Sequence, residues 1–142
     1  MLKKVGQRMN KMLKISEAAA IAIHACALLA GKNAKRIDAR QISKTLDVSY
    51  DHLSKVLQRL SKAHIVKSVK GPGGGFELAR DPSKLYLKEV YEVIEGPMQL
   101  DKCLFGREIC SAKKCILGNL ISGINKEVTE YFTRTKVSDI QL

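Results

Sequence analysis

The chain has 142 residues, 45% of them apolar and 27% charged, a balance that excludes a disordered or membrane-embedded protein and suits one globular domain with its own core. Its 25 Lys and Arg against 14 Asp and Glu leave a formal charge of +11, which favours a polyanionic partner, nucleic acid ahead of a membrane surface. The longest apolar run, Ala18 to Ala30, is interrupted by His24 and falls short of the roughly 20 residues a bilayer needs. With Glu17 before it and Gly31 behind, it reads as a buried helix of a cytoplasmic protein with no membrane partner and not as a signal peptide.

Residues 1–11 are polar and basic and read as a flexible arm or extension. From Ile15 the set Ile15, Ala18, Ala19, Ala22, Ile23, Cys26, Leu29 and Ala30 recurs at steps of three and four, which predicts a helix with one buried face. Asp38 suits the N-cap of a short helix through Leu46, because its carboxylate can accept from free backbone N–H groups. Asp47, Val48 and Ser49 make a tight turn into a second helix from about Tyr50 to Ala63. That helix carries Leu53, Val56, Leu57 and Leu60 on one face and Lys55, Arg59 and Lys62 on another: one face docks on a core, the other suits phosphates. Ile65–Val69 and Phe76–Leu78 alternate on either side of Gly71-Pro72-Gly73-Gly74-Gly75, a hairpin pattern. Two helices across a tight turn, followed by a basic-rimmed hairpin, predict a winged helix-turn-helix that reads DNA through Asp38 to Arg80. Lys55, Arg59, Lys62, Lys67 and Lys70 fall in this stretch, and no acid lies between Leu53 and Lys70.

Asp81-Pro82-Ser83 breaks the hairpin, and Leu87, Val90, Tyr91 and Ile94 mark a further helix ending at Gly96-Pro97. The expected organisation is therefore a DNA-binding domain over 12–96, a cysteine-rich loop over 97–115 and a helix over 116–135. The stripe Ile116, Leu117, Leu120, Ile121, Ile124, Val128, Tyr131 and Phe132 is long for so small a domain to cover. It reads as a dimerisation helix, the alternative being that it folds back on its own core. The fold class is mainly α with a small β-hairpin wing, and the expected assembly is a homodimer on paired half-sites of duplex DNA.

The second informative stretch is Cys103-Leu-Phe-Gly-Arg-Glu-Ile-Cys110-Ser-Ala-Lys-Lys-Cys115. Thiolates bind soft metals, and Lys102, Arg107, Lys113 and Lys114 favour the thiolate form. Structural zinc prefers closer pairs and a fourth Cys or His nearby, which is absent here. An iron–sulfur cluster tolerates irregular spacing and accepts a non-cysteine ligand. A redox-active disulfide and three unremarkable thiols remain as alternatives. Cys26 lies on an apolar helix face and reads as a packed side chain, and His24, His52 and His64 read as surface or packing residues. The Gly71–Gly75 run lacks a following Lys-Ser/Thr and precedes a strand, which argues against a phosphate-cradling loop. No catalytic constellation stands out, and no enzyme is expected.

Three pieces, Leu53-Ser-Lys-Val-Leu-Gln-Arg-Leu60, Val69-Lys-Gly-Pro-Gly-Gly-Gly-Phe76 and the three-cysteine loop, make the chain resemble the Rrf-two family of bacterial regulators from about Met12 to Phe132. That family includes an iron–sulfur cluster biogenesis regulator and a nitric-oxide-responsive repressor. The resemblance implies a recognition helix in the major groove and a wing at the minor groove, with Ser49, Tyr50, Asp51, Ser54, Lys55, Arg59, Lys70 and Gly71 at the DNA. Lys70 stands where some members carry Arg; it neutralises phosphate without the planar guanidinium contact. Cys103, Cys110 and Cys115 match the family's cluster ligands, with a 2Fe-2S cluster favoured over 4Fe-4S. Some members supply the fourth ligand from a His at the position that is Gly118 here. Others supply an acidic residue across the dimer from near the start of the first helix, where this chain has Glu17. The other reading of Glu17 is a solvated carboxylate at a helix N-terminus. The implied function is a DNA-binding transcriptional regulator, a repressor, whose operator affinity is switched by a cluster sensing redox state, nitric oxide or iron and cluster status. A cluster-free thiol redox regulator is the rival within that class. An iron–sulfur electron-transfer or carrier protein and a zinc-stabilised DNA-binding module are the others.

Overall fold

Ser16 starts the first helix: its hydroxyl accepts the N–H of Ala19 at 3.1 Å, satisfying one of the free donors of the first turn, and α1 (Glu17–Leu29) follows. The computed structural model of the protein describes residues 15–32, 36–103, 110, 115–140 and 142. The basic arm expected over 1–11 and much of the cysteine loop, including Arg107, Lys113 and Lys114, lie outside the described residues. Where the periodicity predicts one buried face for α1, the structure encloses the helix nearly all round: Ala19, Ile21, Ala22, Ala25, Cys26, Ala27 and Leu29 are buried, while Ile15 is exposed. Its many alanines let several elements approach at once, which makes α1 the central helix.

Asp38 caps α2 (Ala39–Leu46), its carboxylate accepting the N–H of Arg40 at 2.6 Å. Asp47 ends the helix at φ +53°, a left-handed conformation that Asp tolerates better than most residues, and Ser43 closes the turn by donating its hydroxyl to the Val48 carbonyl at 2.7 Å. Ser49 then caps α3 (Tyr50–Lys62), whose inward side chains Leu53, Val56, Leu57 and Leu60 are all buried. Each such side chain contributes about 1.5–3 kcal/mol when removed from water. His64 leaves α3 at φ +56°, and the chain turns directly into the wing.

The wing pairs β1 (Val66–Val69) with β2 (Gly75–Leu78), antiparallel, with Lys67 opposite Glu77 and Ser68 opposite Phe76. Ile37 adds a single bridge on the other edge of β2, exchanging backbone bonds of 2.8 and 3.0 Å with Phe76. A short 3-10 turn, Pro82–Lys84, leads to α4 (Leu87–Glu95), where Glu89 accepts the N–H of Tyr86 at 3.0 Å.

The last helix begins later than its apolar stripe. Residues 116–119 form a turn in which Gly118 takes φ +58° and donates to the Cys115 carbonyl at 2.9 Å; α5 runs from there over Leu120–Arg134. One edge of α5 folds back: Ile121 and Phe132 are buried, and the Phe132 ring meets Tyr91 of α4 edge-on at 5.4 Å between centroids. Leu117 and Val128 are half-buried, Val128 against the core, while Ile116, Leu120, Ile124 and Tyr131 are exposed. The fold-back reading of this helix therefore holds for one edge of it, and the other edge is left exposed. Beyond it lies a segment that no sequence pattern flagged. Thr135 accepts from Leu87 at 3.0 Å, Val137 donates to Leu85 at 2.8 Å, and the Val137 side chain is completely buried. Among the described residues, no helix is long and apolar enough to cross a membrane.

Candidate nucleic-acid interface and thiol segment

The exposed end of α3 is its N-terminus, where free N–H groups and the positive end of the helix dipole gather. Ser49 sits at this end, but its hydroxyl is engaged as the cap, accepting the N–H of His52 at 3.2 Å. Tyr50, Asp51 and Lys55 are exposed and Ser54 is half-buried. Arg40, from the first turn of α2, lies with its guanidinium carbon 5.2 Å from the centre of the Tyr50 ring, a cation–π placement that orients both side chains beside the helix start. Sequence reasoning missed Arg40, because its charge count covered Leu53 to Lys70 and left α2 out.

At the wing tip Lys70 and Gly71 are exposed. Gly71 adopts φ +95° and accepts the N–H of Gly74 at 2.9 Å. A Cβ on Gly75 would lie 2.7 Å from the Ile37 carbonyl oxygen, so this glycine is what lets the Ile37 bridge form. The cations of this region divide into two kinds. Lys67 and Arg36 are bound to Glu77 at 3.0 and 2.9 Å, and these hydrogen bonds, Lys67's first, hold the Glu77 carboxyl below the usual carboxylate range. Lys55, Lys62 and Lys70 are exposed. Arg59 goes elsewhere: its Nη2 donates to the Val93 and Ile94 carbonyls of α4 at 3.0 and 2.7 Å.

The four thiols also divide. Cys26 is buried in the core, where loss of hydration pushes its thiol up to about 12. Cys103 is half-buried, Cys110 and Cys115 are exposed, and Cys115 Sγ accepts the N–H of Leu117 at 3.4 Å. Among the described residues, no three Cys, His, Asp or Glu are gathered closely enough to hold a metal, so Cys103, Cys110 and Cys115 are not brought together within one chain. Glu17 is exposed in the first turn of α1, with its carboxylate 3.6 Å from His52 Nδ1 of α3. The neighbouring Ser16 hydroxyl donates to the Glu95 carboxylate at the end of α4. Gly118, the position of a histidine ligand in some relatives, has a left-handed backbone that a residue with a side chain rarely adopts.

A glycine-tipped hairpin set beside a helix whose capped N-terminus faces solvent places the chain in the class of winged helix-turn-helix transcriptional regulators. The cysteine regulator CymR of B. subtilis has the same fold, with a TM-score of 0.71 at 24% identity, covering 90% of this chain and 95% of that one. Within the class the chain belongs to the Rrf2 (Rrf-two) family, whose model, described as an iron-dependent transcriptional regulator, matches residues 15–141. It is 29% identical to an HTH-type transcriptional regulator of Aquifex aeolicus over 128 residues, 88% of this chain and 89% of the relative. It is 28% identical to the HTH-type transcriptional regulator IscR of Cereibacter sphaeroides over 107 residues, 73% of this chain and 69% of that protein. These relatives are regulators and not enzymes, and so is this Rrf2-type protein.

Proposed function

We propose that the protein is a cytoplasmic homodimeric repressor of paired operator half-sites whose DNA affinity is set by an iron–sulfur cluster. Cys103, Cys110 and Cys115 of one subunit and Glu17 of the other would hold it. The observation that carries this reading is the division of the thiols: one is sealed in the core, and three lie outside it on the segment between the DNA-reading head and α5. Three soft donors of that kind fit a cluster chemically, and the family's description as iron-dependent supports iron over zinc. When bound, the cluster would supply a centre sensitive to oxidants, nitric oxide and iron supply.

The chain's own residues do the rest. Tyr50, Asp51, Ser54 and Lys55 at the open end of α3 face a major groove, and Lys70 and Gly71 reach the adjacent minor groove. Ser49 holds the first turn of α3 in register through its cap bond. The exposed apolar stripe of α5 supplies the surface for a second copy, which fixes the distance between two recognition helices. Glu17, in contact with His52, puts the fourth ligand position directly against the recognition helix. A specific second reading rests on the same exposed thiols: Cys110 and Cys115 would serve a cluster-free regulator through reversible dithiol oxidation.

The test is iron and acid-labile sulfide per chain in anaerobically purified protein, with its visible spectrum, for wild type, Cys110→Ala and Glu17→Ala. Iron and sulfide that vanish in Cys110→Ala, with an altered spectrum in Glu17→Ala, are the expected result. Colourless wild-type protein that still binds DNA would overturn the cluster and leave the thiol regulator.

A further inference from the structure

We infer that Arg59 is a positioning residue that clamps the recognition helix to the C-terminal end of α4 and relays the state of the thiol segment to the DNA-reading face. The last carbonyls of a helix have no partners within it and carry the negative end of its dipole. Arg59 Nη2 satisfies two of them, at Val93 and Ile94, with bonds of 3.0 and 2.7 Å. A bond from a charged donor is stronger than a neutral one, and here it joins two elements 34 and 35 residues apart in sequence. Arg59 is exposed like its ridge neighbours on α3, Lys55 and Lys62, and what sets it apart is that its guanidinium is held on these two carbonyls.

The place it grips is a junction. Immediately beyond it the chain leaves α4 at Gly96, with φ +81°. The Met98 N–H returns to Glu92 Oε1 at 2.8 Å, and the Asp101 carbonyl accepts from Asn125 Nδ2 of α5 at 2.9 Å. Cys103 follows two residues later. The same final turn of α4 receives the Ser16 hydroxyl at Glu95. A displacement that begins at Cys103 therefore reaches Val93 and Ile94 through a short stretch of chain fixed at two points. From there Arg59 passes it to the helix that carries Tyr50 to Lys55. This relay rests on the proposal that the thiol segment is the switch, but it does not require that the switch be a cluster.

The experiment uses the full chain as wild type, Arg59→Ala and Arg59→Lys, with N-ethylmaleimide as the perturbation of the exposed thiols; Cys26, buried and held protonated, is spared. Amide hydrogen exchange is read over α3 and over residues 92–103, and binding to an arbitrary 30-base-pair duplex is followed against salt. In wild type, alkylation changes exchange in both regions. In Arg59→Ala, exchange at the end of α4 rises by about tenfold, as expected for loss of a charged hydrogen bond; alkylation still alters 97–103 but no longer reaches α3. Arg59→Lys restores part of the α3 response and keeps the test alive if the alanine variant fails to fold. The salt slope of duplex binding stays at the wild-type value in both variants. A slope reduced by about one in Arg59→Ala would make Arg59 a phosphate contact and overturn the inference. So would an α3 response to alkylation that survives in Arg59→Ala, or one absent from wild type. Failure of the cluster would appear instead as protein without iron or sulfide, leaving these readouts intact.

Discussion

Every side chain that α3 turns inward is fully or almost fully enclosed, whereas α5, of similar length, buries Ile121 and Phe132 and leaves Leu120, Ile124 and Tyr131 in solvent. The caps differ in the same way: α1, α2 and α3 each begin on a side chain that accepts a backbone N–H, while Asn119 makes no such bond for α5. The head is thus stabilised by contacts within one chain. The helix that follows the thiol segment carries apolar surface that the described residues leave uncovered, the usual mark of an interaction face.

Leu57→Ala tests that contrast hardest. Leu57 has no exposed surface, so its truncation should cost about 2–5 kcal/mol of unfolding free energy in a urea titration; a loss below about 1 kcal/mol would mean the head's core is not the source of stability. Gly75→Ala comes next. A Cβ there would press on the Ile37 carbonyl at a backbone φ of +147°, and a loss of about 1–3 kcal/mol is expected, with faster amide exchange at Phe76. Unchanged stability and exchange would show that the Ile37 bridge is dispensable. Ile124→Ser should have the smallest effect on folding, within about 0.5 kcal/mol in dilute protein. It should nevertheless weaken self-association by about tenfold in sedimentation. Association that is unaffected would mean α5 is covered by something other than a second copy.

The head was legible in the sequence because its signals are local. The step of three and four through Leu53, Val56, Leu57 and Leu60, the cap Asp38, the turn Asp47-Val48-Ser49 and the glycine run of the wing each act within a few residues of where they are read. What escaped depends on distance. A helical ridge places Arg59 beside Lys55 and Lys62 but cannot say that a long side chain bends toward α4. The pairing of Lys67 with Glu77 depends on strand register, and that of Arg36 on a residue 41 positions away, so a count of basic residues overstates the charge left for DNA. The enclosure of α1 reflects how many elements surround it, which its own period cannot reveal. For the thiol segment, residue type identifies the donors while spacing leaves their mutual distances open. The proposal of Glu17 as a fourth donor is carried by resemblance alone.

Val137 reaches back past α5 to lie in the same core as Leu85, so the head is not one continuous stretch of chain. During synthesis the ribosome adds about 5–20 residues per second, and on the order of seconds must separate the emergence of α4 from that of the segment that seals it. The exposed helix α5 is therefore made before the head can close. A fusion junction or truncation placed directly after Arg134, which looks harmless beside a surface helix, would remove the final wedge of the DNA-binding domain.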